Sequence, residues 1–199
     1  MSRVPRFLLL ATLAWTVLTL PGLVAPPALA MVVMQRDFPE LVARAEQVVV
    51  GTVTAITQGQ DESGAPSTFV TFSDLTVLKG DAGATLTLKF YGGVAGNVAV
   101  MIPDMPTFTL GERDVVFVAG NGPTVCPLVG VWQGRFHVRH DETRNTDVIE
   151  DSDHTPVTGL VGRKLQRAPL RAAAITLDVF RQMIADELAQ PSGPLMPGR

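Results

Sequence analysis

Hydrophobic and polar residues alternate strictly in the segment TLTLKFY, where Leu86, Leu88 and Phe90 fall on the same side of an extended chain. This alternation predicts a β-strand with one buried face. Three further runs rich in β-branched or aromatic residues also predict strands: QVVVGTVTAI, DVVFVA and GVWQGRFHV. Turns rather than helices separate most of these runs, which favours an antiparallel sheet. The residues that we expect in the core are Phe72, Leu86, Leu88, Phe90, Val115 and Phe117.

The hydrophobic pattern changes phase within STFVTFSDLTVLKGD. Val70 and Phe72 share one parity, whereas Leu75 and Val77 share the other. A slip of one residue inside a continuous strand indicates a β-bulge, which we place near Asp74. Because bulges bend strands at the corners of barrels, the pattern favours a mainly β fold based on a small closed antiparallel barrel.

Two segments with helical periodicity flank the strands. In MVVMQRDFPELVARAEQ, Asp37 can cap a short N-terminal helix, and Glu40 completes a capping box three residues later. In ITLDVFRQMIADEL, Thr176 can cap a C-terminal helix. The apolar stripe of this second helix consists of Leu177, Phe180, Ile184 and Leu188. We expect both helices to pack on the barrel.

The first thirty residues have the features of a secretory signal peptide. Arg3 and Arg6 precede the uncharged run from Phe7 to Leu20, and Ala28-Leu29-Ala30 ends the segment. We therefore predict a secreted or periplasmic protein that is cleaved after Ala30, with a retained signal anchor as the alternative. The remaining chain is interpreted as a single domain over residues 31–189, followed by a disordered Pro/Gly-rich tail over residues 190–199.

Charge and cysteine content narrow the possible partners. The chain of 199 residues has a formal net charge of −3. Removal of the two arginines in the leader, which contains no acidic residue, makes this −5. A mildly acidic chain is not expected to bind nucleic acid, and no later segment has the twenty apolar residues of a membrane helix. Cys126 is the single cysteine, so no internal disulfide is possible.

Four stretches carry a resemblance to a known family: AEQVVVGTVTAI, FVTFSDLTVLKGD, FTLGERDVVFVAGNG and PLVGVWQGRFHV. Between about Ala45 and Val138 the chain resembles modules of exported bacterial proteins that occur near matrixin-type zinc proteases. These modules are similar to the netrin-like OB barrel of tissue inhibitors of metalloproteinases. The resemblance implies an OB-like (netrin-like) barrel with protein-binding activity. Its motifs are those of strands and turns, so it bears on the fold more directly than on the function.

The chain departs from the inhibitor pattern in its chemistry. The inhibitors use a disulfide-tethered N-terminal cysteine to reach the protease zinc, whereas here Met31 is the expected N-terminus and no disulfide can form. The zinc protease motif H-E-x-x-H does not occur either. The inhibitory mechanism therefore does not carry over residue by residue.

Candidate chemical groups do not converge in the sequence. On an extended RFHVRH segment, His137 and His140 point to opposite faces, which disfavours a shared metal site. Cys126 precedes a proline without a catalytic signature, and Trp132 is expected to pack in the barrel. Asp151 and Asp153 lack the spacing of an EF-hand loop, and we interpret them as part of a solvated turn. We predict no catalytic residue, no metal site and no cofactor.

The segment VAVMIPDMPTF, residues 98–108, is too long for a hairpin turn. Its apolar side chains either close one end of the barrel or form a partner contact, for which the candidates are Met101, Ile102, Met105 and Phe108. We therefore interpret the chain as an exported, non-enzymatic module that binds or regulates another protein, such as a protease. The alternatives are a small hydrolase or metal-dependent enzyme using Cys126, His137 and the Asp151/Asp153 region, and a purely structural envelope protein.

Overall fold

The structure, a computed structural model, describes residues 34–168 and 172–190. The predicted leader with its cleavage site after Ala30 lies outside the described residues, as does the predicted tail from residue 191 onward. Two α-helices and ten strands are found in the described part, so the mainly β class is confirmed.

Six strands form one antiparallel sheet in the order β3-β2-β1-β6-β7-β8, and the other four form the hairpins β4–β5 and β9–β10. The strands are β1 (Gln47–Gln60), β2 (Pro66–Lys79), β3 (Leu86–Tyr91), β4 (Gly93–Ala95), β5 (Val98–Val100), β6 (Arg113–Val118), β7 (Arg135–Asp141), β8 (Thr146–Asp151), β9 (Val157–Val161) and β10 (Lys164–Arg167). The predicted antiparallel arrangement is therefore correct.

The closed barrel is not found in the described residues, because the large sheet ends at β3 on one side and at β8 on the other. Loops rather than strands cover parts of these two edges. Asn121 Oδ1 accepts a hydrogen bond of 3.0 Å from the β3 residue Lys89, and the carbonyl of Ile175 accepts one of 3.0 Å from the β8 residue Ile149. Backbone groups at a sheet edge that are bonded in this way are less open to pairing with another chain. Barrel closure stays a prediction.

The predicted β-bulge lies at Asp74. The pairing of β1 with β2 shifts between Val50 and Thr52, and Asp74 has a φ of 53°. Gly51 lies opposite this irregularity, where a Cβ would come within 2.6 Å of the Leu75 side chain. The bulge therefore packs against a position without a side chain, and its extra residue keeps Leu75 on the same face as Val70 and Phe72, with which it packs in one hydrophobic cluster.

The two helices begin at the predicted caps. Helix α1 (Phe38–Arg44) has the capping box of Asp37 and Glu40, and Thr176 caps α2 (Leu177–Ala189) through the N–H of Val179. Leu177, Phe180 and Ile184 are buried, but Leu188 is 40% exposed, so the predicted stripe ends before the last turn. Neither described helix is long and apolar enough to cross a membrane.

The sheet carries a hydrophobic cluster on each face. The cluster on one face includes side chains of α1 and α2 and contains Phe38, Phe117, Phe136 and Phe180. The cluster on the other face includes Phe72, Leu88 and Phe90. All six residues predicted for the core are buried. Because both faces are covered, Arg135, Phe136 and His137 are buried in succession at the start of β7, although they alternate in direction.

The predicted strand at GVWQGRFHV begins only at Arg135, because residues Val131–Gly134 form a short 3₁₀ helix. Gly130 and Val131 have φ values of 66° and 60°, a left-handed conformation that a β-branched residue rarely adopts. The Gln133 side chain donates a hydrogen bond to the carbonyl of Met34 and accepts one from the N–H of Arg36. These long-range bonds stabilise a turn that the local pattern does not predict.

Candidate functional site

Two adjacent glycines reverse the chain after β3 and bring the β4–β5 hairpin against β1 and β2. Gly92 and Gly93 have φ values of 103° and 128°, and a Cβ at Gly93 would lie 2.7 Å from Thr68 Oγ1. Side chains of the sheet then fix the hairpin. The Thr68 hydroxyl donates to the carbonyl of Gly92 at 2.8 Å, and the Val94 N–H donates to Gln58 Oε1 at 3.1 Å.

The four predicted contact residues lie in the loop that follows β5, and they differ in exposure. Residues Val98–Val100 of the expected loop form strand β5, so the loop begins at Met101. Met101 is 92% exposed. Ile102, Met105 and Phe108 are half-buried, and Met105 and Phe108 pack against the core. The loop therefore has both expected properties: it covers part of the core and it presents an exposed apolar residue.

Phe108 anchors this loop. Its ring centroid lies 5.8 Å from that of Phe72 and 5.2 Å from that of Phe90. The guanidinium carbon of Arg135 lies 4.0 Å from the Phe108 ring centroid, a cation–π arrangement. Arg135 also donates a hydrogen bond to the carbonyl of Thr107. The loop is thus attached at its C-terminal end to both the core and strand β7.

An open groove of about 650 Å³ lies between the sheet, the hairpin and the loop. We call it the apolar groove, and its main walls are Ile56, Val70, Phe90, Val100, Met101, Ile102, Met105 and Phe108. None of the described residues that line it is charged. Uncharged walls next to an exposed methionine favour an apolar occupant.

A second cavity of about 470 Å³, the polar cleft, shares Met105, Pro106 and Thr107 with the apolar groove but contains charged residues. It is lined by Glu112, Trp132, Arg135, His137, Asp153 and His154, among others. Trp132 is 37% exposed in this cleft, so its predicted packing in the barrel core is wrong.

Buried Asp114 is the centre of the charge cluster beside this cleft. The Arg135 guanidinium lies 2.9 Å from Asp114 Oδ2 and 2.8 Å from Glu112 Oε2. Burial raises the pKa of Glu112, but the hydrogen bond from the Thr109 N–H and the positive charge of Arg135 outweigh it, so this pKa lies below its ordinary value. Glu112 is therefore ionised at neutral pH.

The histidines diverge as the alternation predicts. His137 Nδ1 lies 2.9 Å from Asp114 Oδ1 in the buried cluster, whereas exposed His140 lies 3.0 Å from Asp147 Oδ1. The sequence pattern does not reveal that His154 stacks on His137, with ring centroids 4.1 Å apart and an interplanar angle of 9°. Antiparallel pairing of Asp114 with His137 brings the cluster together, and this register is not readable from either strand alone.

Cys126 lies apart from these charged residues. It packs against the cluster of Phe72 and Phe90, and it is not among the described residues that line the polar cleft. Burial raises the pKa of its thiol to about 11. Since the thiolate is the nucleophilic form, this environment disfavours a catalytic cysteine.

We expect Cys126 to react with iodoacetamide at pH 8 roughly 100-fold more slowly in the folded protein than in the same protein unfolded in urea, because a thiol with a raised pKa forms little thiolate. Timed alkylation followed by mass spectrometry measures both rates. A folded rate within tenfold of the unfolded rate would contradict the buried, protonated thiol.

Asp151, the last residue of β8, stabilises the turn that follows the strand. Asp151 Oδ1 accepts hydrogen bonds from the N–H groups of Asp153 at 2.9 Å and Thr155 at 3.0 Å, and Arg167 lies 2.5 Å from Asp151 Oδ2. Both oxygens of Asp151 are therefore engaged within the protein. Asp153 lines the polar cleft, but Cys126 does not join it there.

Comparisons of the chain with protein-family models, curated proteins and solved structures give no match. The resemblance to netrin-like modules therefore stays a prediction, and the function must be argued from the geometry of the apolar groove and the polar cleft.

Proposed function

We propose that the protein is an exported, non-enzymatic module that binds an extended apolar segment of another polypeptide in the apolar groove. The observation that carries this proposal is an uncharged groove of about 650 Å³ with the 92% exposed Met101 at its rim. Exposed methionines suit a protein contact because their flexible side chains adapt to the partner.

Strand β5 supports an extended segment as the occupant. Within the described residues, β5 pairs with β4 on one side only, which leaves backbone donors and acceptors on its other edge. Val94 and Val98 of this hairpin are exposed as well. A peptide that adds to such an edge forms backbone hydrogen bonds, while alternate side chains can enter an adjacent pocket.

The separation of Cys126 from the histidine and the acidic residues favours binding over hydrolysis by a cysteine nucleophile. A hydrolase needs a nucleophile and a base within hydrogen-bond reach. Cys126 lies in an apolar environment, His137 lies in the buried cluster with Asp114, and Asp151 is engaged in a turn. The proposal also includes a signal peptide at the N-terminus and a closed, netrin-like barrel.

Peptide selection tests this function. From a random 12-residue library displayed on phage, the purified protein should enrich extended peptides rich in apolar residues, and fluorescence anisotropy gives their Kd. Met101→Glu should raise this Kd at least tenfold, because it places a charge at the rim of the apolar groove. Its melting temperature should stay nearly unchanged, since substitutions at exposed positions alter stability by about 0.5 kcal/mol or less.

The matched control is Val161→Glu, which places the same charge at a 67% exposed apolar residue of β9, outside the apolar groove. This variant should bind the selected peptides as tightly as the unchanged protein. Enrichment of polar peptides only, or equal binding by both variants, would refute the proposal. Met105 is unsuitable for this test because its side chain packs against the core.

A further inference from the structure

We propose that Glu112, Asp114 and His137 form a binding site for a divalent transition-metal ion such as Zn²⁺ beside the polar cleft. One potential ligand atom from each residue lies within 4.8 Å of the other two. One imidazole nitrogen and two carboxylate oxygens form a donor set that suits zinc. This inference concerns a site other than the apolar groove and does not depend on the proposed function.

The sheet positions these ligands. Asp114 lies on β6 directly opposite His137 on β7, so their side chains share a face of the sheet. Glu112 lies in the loop just before β6, two residues before Asp114, and it is fixed by the hydrogen bond of 2.9 Å from the Thr109 N–H to its Oε2. Asp114 and His137 are thus held by strands and Glu112 by its hydrogen bond, so the three side chains lose little conformational entropy when a metal binds.

Asp114 Oδ1 provides the decisive observation. Asp114 is 0% exposed, and its Oδ1 has no hydrogen-bond partner within the described residues. His137 Nδ1 lies only 2.9 Å from this oxygen, so the two atoms are in contact without the alignment that a hydrogen bond requires. A buried carboxylate oxygen without a partner is unfavourable and calls for a cation or a donor.

The 2.9 Å contact fits two ligands of one metal ion. Ligand atoms about 2.0–2.2 Å from a zinc ion, separated by roughly 90–110° at the ion, lie about 2.8–3.6 Å apart. The distance between Asp114 Oδ1 and His137 Nδ1 falls within this range. A geometry that fails as a hydrogen bond is therefore suitable for shared coordination.

Arg135 holds both carboxylates without using the oxygens that we propose as metal ligands. It donates to Asp114 Oδ2 from Nε at 3.0 Å and to Glu112 Oε2 from Nη2 at 2.8 Å. These bonds use one oxygen of each carboxylate and leave the other oxygen for a ligand role. Two carboxylates and one guanidinium have a net charge of −1, which favours a further cation. Hydrogen-bonded carboxylate ligands of this kind are typical of metal sites.

The polar cleft provides access and a place for an exchangeable fourth ligand. Glu112 and His137 line this cavity of about 470 Å³ together with Trp132, Asp153 and His154. The stacked ring of His154 restricts the orientation of the His137 imidazole. Three protein ligands and an open position form the arrangement in which zinc binds water or a group from another molecule.

Isothermal titration calorimetry of the chelator-treated protein with Zn²⁺ at pH 7.5 tests the site. We expect one Zn²⁺ per chain, and visible absorption of bound Co²⁺ should indicate four or five ligands. His137→Gln and Glu112→Gln should each weaken Zn²⁺ binding at least 100-fold. Glu112 is only partly buried, so its variant tests the site even where a change at His137 impairs folding. Circular dichroism melts confirm that each variant is folded.

His140→Gln is the matched control, since His140 is an exposed histidine on the same strand. It should leave both stoichiometry and affinity unchanged. Three results would overturn the proposal: no Zn²⁺ binding by the unchanged protein, undiminished binding by folded Glu112→Gln, or a loss of binding with His140→Gln equal to that with His137→Gln.

Discussion

Phe180→Ala is expected to lower the free energy of unfolding by about 3–5 kcal/mol, which is the cost of truncating a buried phenylalanine that leaves a cavity. Phe180 is completely buried on α2. Its ring centroid lies 4.9 Å from that of Phe136, 5.6 Å from that of Phe38 and 6.4 Å from that of Phe117. The ring therefore joins both helices to the sheet, and its removal takes away contacts that no neighbour can replace.

Urea unfolding followed by circular dichroism measures this loss. Leu188→Ala on the same helix is the control, because Leu188 is 40% exposed and should cost less than about 1 kcal/mol. The m-value should be similar for both variants, since the surface exposed on unfolding hardly changes. Equal losses in the two variants would show that α2 does not pack on the sheet as described.

Arg135→Met is expected to lower the free energy of unfolding by about 3–5 kcal/mol, because it leaves the buried carboxylate of Asp114 without its guanidinium partner. Methionine retains the apolar stem of the side chain, so the measured loss reports the charge and hydrogen bonds more than packing. Arg135 also lies over Phe108 and bonds to the Thr107 carbonyl, so loop 101–108 should become more mobile. Hydrogen exchange of this loop measures that second effect.

Two further variants separate the buried charge from ordinary ion pairing. Arg181→Met removes one member of an ion pair with Asp178 in which both side chains are exposed, and it should cost less than about 1 kcal/mol. Adding Asp114→Leu to Arg135→Met should recover most of the loss, since no unpaired buried charge remains. A chelator in the buffer prevents a bound cation from masking the effect. A small loss with Arg135→Met alone would contradict the buried pair.

Short-range patterns predict the local elements of this protein correctly. The capping box of Asp37 and Glu40, the cap at Thr176 and the phase change near Asp74 each depend on neighbours within a few residues. Such features are determined by local sterics and hydrogen bonding, which the sequence contains directly. The 3₁₀ helix before β7 escapes prediction because the Gln133 side chain is bonded to residues about a hundred positions away.

The candidate sites depend on pairings that the sequence does not contain. Alternation predicts that His137 and His140 diverge, but it does not predict which partner His137 meets. Asp114 becomes that partner through the register of β6 and β7, and Arg135 meets Asp114 across 21 positions of the chain. Likewise, the apolar side chains around Met101 predict a contact with a partner. The apolar groove, however, exists only because the hairpin lies against the sheet.

The sequence by itself therefore determined the mainly β class, the antiparallel pairing, both helices and six buried core residues. Tertiary structure alone decided the strand order, the two covered faces of the sheet, the half-buried state of Met105 and the charge cluster around Asp114. The physical reason is the distance along the chain over which each kind of interaction acts. Periodicity and capping report interactions over a few residues, whereas a cavity or a charge cluster forms only when distant strands reach a particular register.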